Sequence, residues 1–214
     1  MSFASTLKQR IETKYRERRD NLGWRLLYSP ERVLDGAHAA FIGQNPGGSS
    51  HREDHAEFAM PTGSAYATEK WRGATEPGNS PLQQQVLSVF SWIGVEPEAV
   101  LAGNLVPFRA PSWDLLKGQD DALKFGVEIW RDILAHAKPK IVIAMGQESQ
   151  KAIRHILNVK DIETVPMNWG NIVGIRGRFP EGIFIGLPHL SRFQIMKRIK
   201  SREGVERLLG PCHS

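Results

Sequence analysis

Four short runs limit what this chain can fold into: "AHAAFIG" (37–43), "AVLAGNLVPF" (99–108), "KIVIAMG" (140–146) and "GIFIGLP" (182–188) are almost unbroken apolar stretches. Each is too short for an ordinary helix and lacks polar alternation, the pattern of a strand buried on both faces. Helical patterns separate them. "SPLQQQVLSVFSWIG" opens with Ser80 as cap, Pro81 in the first turn and Gln83 completing a capping box, and Gly94 stops it. "DDALKFGVEIWRDILAHAKP" carries Leu123, Val127, Trp130, Ile133 and Leu134 on one stripe, and "QESQKAIRHIL" follows the third run. Strands alternating with helices give a parallel sheet covered on both faces. The expected fold is α/β, a three-layer α/β/α sandwich around a short central, mainly parallel four-stranded sheet. "NIVGIRGRF" offers the fourth run a partner, and a last helix is expected from about Arg192 through Arg207. Residues 5–20 read as a charged amphipathic helix, so the chain is expected to be one domain, 1–214, with residues 1–24 as an N-terminal helical extension.

Apolar content of 41% and charged content of 24% are ordinary for a globular protein. No apolar run approaches the ~20 residues of a membrane span. The start "MSFASTLKQRIETKYRERRD" has no secretory apolar stretch, and its only cysteine is Cys212, so a reducing cytoplasm is expected and a disulfide or multi-cysteine metal site is not. Net charge is +5 and the pI about 9.5, with cations crowded near both ends of the chain. Lys8, Arg10, Lys14, Arg16, Arg18 and Arg19 suit a solvated helix face, whereas Arg192, Lys197, Arg198, Lys200, Arg202 and Arg207 suit phosphate contact.

Ligands of an open parallel sheet bind beyond the carboxyl ends of its strands. There the chain places Gln44 and Asn45, then Asn104 and Arg109, then Gln147 and Glu148, then His189, Ser191 and Arg192. Amides and an imidazole at one rim suit a flat, uncharged ligand rich in heteroatoms, such as a nucleobase. No GxGxxG or GxxxxGK[ST] phosphate loop is present. His51, Asp54 and His55 have partial metal-ligand spacing but no third firm ligand, and read as a surface stretch; no metal or cofactor is expected.

"GQNPGG" (43–48), "NLVPF" (104–108) and "PHLSRF" (188–193) together resemble, in order and spacing, the uracil-DNA glycosylase superfamily, over roughly residues 37–200. The motifs are closest to its asparagine-bearing mismatch-specific and single-strand-selective branches. The resemblance implies catalytic roles for Asn45, which would hold the attacking water, and for His189, which would bond the base carbonyl. It implies that Asn104 reads the Watson–Crick edge of a flipped base and that Gln44 offers a backbone amide. Phe58, thirteen residues after Asn45, would stack on the base. Gly47 stands where some uracil-strict relatives carry a tyrosine that blocks a 5-methyl group. Ser191 would touch phosphate, Arg192 and Phe193 would enter the duplex, and Lys197 belongs to the basic stretch that follows. The third motif departs from the family in lacking prolines after the histidine, with Leu190 and Arg192 in their place.

The implied function is a monofunctional DNA glycosylase for uracil or a related modified or mismatched pyrimidine, working as a monomer on DNA. The alternatives are a non-catalytic nucleic-acid-binding protein on the same fold, a glycosylase for a different modified base, and a hydrolase of free nucleosides or nucleotides.

Overall fold

A computed structural model describes residues 1–49, 56–71 and 73–210. The metal reading of His51, Asp54 and His55 lies outside the described residues. Six helices, α1 (Phe3–Arg18), α2 (Ala65–Thr68), α3 (Pro81–Trp92), α4 (Gln119–Ala137), α5 (Gln147–Leu157) and α6 (Arg202–Leu209), surround six strands. The strands are β1 (Ala39–Gly43), β2 (Leu101–Asn104), β3 (Ile141–Met145), β4 (Lys160–Trp169), β5 (Ile172–Phe179) and β6 (Gly182–Leu187). They form one sheet in the order β2-β1-β3-β6-β5-β4.

The four expected strands are the parallel part of this sheet. The sheet is nevertheless six-stranded, not four-stranded, because β5 and β4 add to β6 as an antiparallel extension. β4, "KDIETVPMNW", carries no apolar run of the kind that marks the others, because only Val165 and Met167 of its ten residues are buried. The expected terminal helix also differs. Residues 195–197 and 199–201 are single 3-10 turns, and only 202–209 are α-helical.

Period-two alternation in the strands separates two cores. Ala40 and Ile42 of β1 face α1, α4 and α5, joining Leu7, Ile11, Ile129, Trp130 and Ile153. Ala39 and Phe41 face the other layer, joining Val86, Val89 and Phe90 of α3 and Val205 and Leu208 of α6. Helix α3 begins as its sequence requires: Ser80 accepts from the Gln83 amide, and the Gln83 side chain accepts from the Ser80 amide. Helix α1 packs on the core through Leu7 and Ile11, which are fully buried. Three of its cations meet acids of α4, Arg10 with Asp132 and Lys14 and Arg18 with Asp121. Among the described residues no helix is long and apolar enough to cross a membrane.

After α1 the chain runs antiparallel beside β2. Arg25 donates its amide to the Pro107 carbonyl at 2.7 Å, and Tyr28 donates to the Ala102 carbonyl at 2.7 Å. This covers the β2 edge and brings Arg25 and Tyr28 to the carboxyl rim of the sheet.

Candidate active site

The carboxyl ends of β1, β2, β3 and β6 open into one cleft of about 1480 Å³. Gln44, Asn45, Gly47, Asn104, His189, Ser191, Arg192 and Phe193 all line it. Lys197 does not; it is exposed and donates to the Gln84 side chain.

The β1 exit is pinned to the β2 exit. Leu105 and Val106 donate to the carbonyls of Gly43 and Gln44 at 2.9 Å each, and Arg109 donates to the Gly47 carbonyl at 2.6 Å. Asn45 donates from Nδ2 to the Pro46 carbonyl at 3.1 Å. Nδ2 can only donate, so Oδ1 is the atom that can accept a hydrogen bond from water.

Asn104 ends β2 and is buried. Trp130 fixes its backbone by donating to its carbonyl at 2.7 Å, and its Nδ2 donates to the Tyr28 hydroxyl at 2.9 Å. Gly43 makes room for the carboxamide, because a Cβ there would lie 2.5 Å from Asn104 Oδ1. Beyond β3, Gly146 adopts a left-handed φ of 91°, and a Cβ on it would sit 3.4 Å from Gln44 Oε1 and 3.5 Å from His189 Cδ2. Side chains from β1 and β6 therefore converge over this glycine.

His189 follows β6, half-buried, with Nδ1 2.7 Å from Ser191 Oγ. Burial, reinforced by the positive charge of Arg192, lowers its pKa below the usual histidine range, so the ring is neutral at neutral pH. Leu190 is fully buried, which ties down the loop that departs from the family pattern. Phe193 meets Trp169 edge-on at 5.7 Å, and the Arg198 guanidinium lies over Trp169 at 4.9 Å. Of the remaining cations in this stretch, Arg202 pairs with Glu206 and Arg207 with Glu163, which leaves Arg192 as the basic side chain of the cluster that reaches the cleft.

Phe58 is not brought to the cleft. It is buried in the core on the α1 and α4 side, where its carbonyl accepts from the Leu27 amide. The aromatic wall is instead Tyr28, Tyr66 and Trp71, with Tyr66 5.2 Å from each of the other two rings. Burial raises both phenol pKa values, that of Tyr66 strongly, so both remain neutral. Large aromatics in an otherwise polar excursion were the sequence signal for Tyr66 and Trp71; Tyr28, in "WRLLYSP", had none.

The cleft therefore combines carboxamides, a neutral imidazole and an aromatic wall, built on the rim of a parallel sheet. The sequence model of the Uracil DNA glycosylase superfamily matches residues 32–209, most of the chain. The protein belongs to the Uracil DNA glycosylase superfamily. No curated protein matches the chain by sequence. Membership in the superfamily makes DNA the substrate and N-glycosidic hydrolysis of uracil-like bases the activity it implies. Among the described residues, no group of three or more histidines, cysteines or acids is placed to hold a metal ion.

Proposed function

We propose that the protein is a monofunctional DNA glycosylase of the asparagine-bearing kind, removing uracil or a related modified or mismatched pyrimidine in base excision repair. The observation that carries this reading is the placement of Asn45, Asn104 and a neutral His189 around one cleft. A damaged nucleotide leaves the stack at a cost of a few kcal/mol and enters the cleft. Asn104 pairs with its Watson–Crick edge while the wall of Tyr28, Tyr66 and Trp71 offers stacking area. At about 1480 Å³ the cleft exceeds one base and has room for the flanking sugar-phosphate.

The C1′–N1 bond breaks with its electron pair leaving on the base. His189, with Ser191 donating to Nδ1, donates from Nε2 to the base carbonyl on which negative charge accumulates. Water held by Asn45 Oδ1 adds to the sugar cation at C1′ and passes its proton to solvent. An amide has no useful basicity, so Asn45 orients the water without deprotonating it. The enzyme is accordingly slower than a relative with aspartate at this position.

Gly47 leaves the base pocket open on one side, with nothing within 4 Å of where its Cβ would stand. This favours admission of 5-substituted pyrimidines beside uracil. The test is a panel of oligonucleotides carrying uracil and modified pyrimidines, single-stranded and opposite adenine or guanine. Alkali-labile abasic sites are expected. Salt-sensitive DNA binding without base release, unchanged by His189→Ala, would identify a binding protein instead.

A further inference from the structure

We infer that the turn joining β4 to β5, with residues 198–200 fastened to it, is a second DNA contact surface that takes the strand complementary to the flipped nucleotide. This rests on the proposed glycosylase reading of the cleft. Sheet order fixes where the turn lies. β5 runs antiparallel to β6, with Ile175 opposite Gly186, so its first residues stand at the carboxyl rim beside the His189 loop. Asn171, Ile172 and Val173 accordingly line the same cleft as Asn45 and His189. β2, β1 and β3 bring their site residues from one side of β6, and the turn approaches from the other. The loop after β6 that carries Arg192 and Phe193 therefore separates the base pocket from the turn. With Phe193 in the gap left by the flipped nucleotide, the strand that gave it up lies on the pocket side and its complement faces the turn.

The turn is held firmly and left open to solvent. Trp169 pairs with Ile172, and Gly170 between them takes a left-handed φ of 55° with nothing within 4 Å of where its Cβ would stand. Trp169 meets Phe193 edge-on, which couples the turn to the loop. Arg198 donates to the Asn168 carbonyl while its guanidinium lies over the Trp169 ring. Ser201, buried, donates to the Met167 carbonyl at 2.6 Å. These bonds fasten residues 198–201 along the end of β4. The charge here has no acid to balance it. Arg202 and Arg207 pair with Glu206 and Glu163, whereas Arg192, Arg198 and Lys200 pair with no acid among the described residues. Cations of this kind beside carboxamide and backbone donors suit phosphate oxygens. Ile199, between Arg198 and Lys200, is 90% exposed. A nucleic-acid strand meets both features, since the apolar faces of its sugars alternate with its phosphates; a free phosphate would leave Ile199 in water.

The test uses Lys200→Glu and Asn168→Asp, at two exposed positions that do not line the cleft. Aspartate tolerates the left-handed φ of 52° that Asn168 adopts, so the turn keeps its shape. Binding is measured to an oligonucleotide carrying 2′-fluorinated deoxyuridine, in which the fluorine disfavours the sugar cation and blocks cleavage. The oligonucleotide is offered single-stranded and paired with its complement. The wild type should prefer the duplex. Each variant should weaken duplex binding about tenfold at low salt and leave single-strand binding unchanged. Lys200→Glu should also lower the slope of log affinity against log salt by about 1, on the duplex alone. Equal weakening of both forms overturns the inference, as does a wild type that binds both alike. A wild type that releases uracil while both variants keep its duplex preference sinks the inference alone. A wild type that binds duplex but releases no pyrimidine sinks the glycosylase reading, and the duplex-to-single-strand ratio of the variants still decides the surface.

Discussion

Ser191 Oγ lies 2.7 Å from Nδ1 of His189. The two residues share the turn after β6, where Arg192 and Phe193 both donate their amides to the His189 carbonyl. With the hydroxyl donating to Nδ1, a neutral ring carries its proton on Nε2. Ser191, expected from the family resemblance to touch phosphate, thus has a partner inside the site.

Replacing His189 by Ala should lower single-turnover base release by about 10²–10³-fold, the usual consequence of losing one donor to a developing anion. Ser191→Ala should cost less, about tenfold, by loosening the ring without removing it. Circular dichroism should show both variants folded. Equal losses in the two would mean that Ser191 acts directly on the substrate.

The His189 pKa lies below the ordinary 6.5 through burial first and Arg192 second. Between the lowered value and 6.5 the unfolded chain holds more protons than the folded one, so this group's contribution to stability is complete above 6.5 and is lost as pH falls through that window. Arg192→Gln should move the titration upward, toward 6.5. The His189 Cε1 proton followed by NMR reads both values directly. An unchanged or lowered value in Arg192→Gln would refute the electrostatic coupling.

Gly43→Ala places a methyl 2.5 Å from Asn104 Oδ1, so the carboxamide must move. Base release should fall at least tenfold while the parallel sheet persists, since alanine is tolerated in a buried strand. Retention of full activity would mean that Asn104 does not read the base from its observed position.

Gly47→Tyr meets open space, so the variant should fold with an unchanged melting temperature. Activity on uracil should survive and activity on 5-substituted pyrimidines should fall by tenfold or more. Parallel loss on both substrates would place Gly47 away from the 5-position of the base.

The parallel half of the fold was legible because β1, β2 and β3 are buried along their whole length and had to be written in apolar residues. β4 was not, because Glu163, Thr164 and Pro166 face solvent and its buried residues are Val165 and Met167 alone. The site divides in the same way. Asn45, Asn104 and His189 stand at strand ends, where polar residues after apolar runs are conspicuous. The aromatic wall draws on three places in the chain with no common spacing, so only packing could assemble it. Phe58 illustrates the difficulty, for its spacing from Asn45 suggested a stacking role and its surroundings are core.

The two borders of the sheet are finished differently. At β2, residues 24–28 take up the outward backbone groups. At β4, Pro166 offers no amide hydrogen, and register shifts flank it where Asp161 and Asn168 take left-handed conformations. A foreign strand seeking to dock there would find an interrupted ladder. The fold can therefore keep a long, solvent-facing strand without becoming a template for stacking copies of itself.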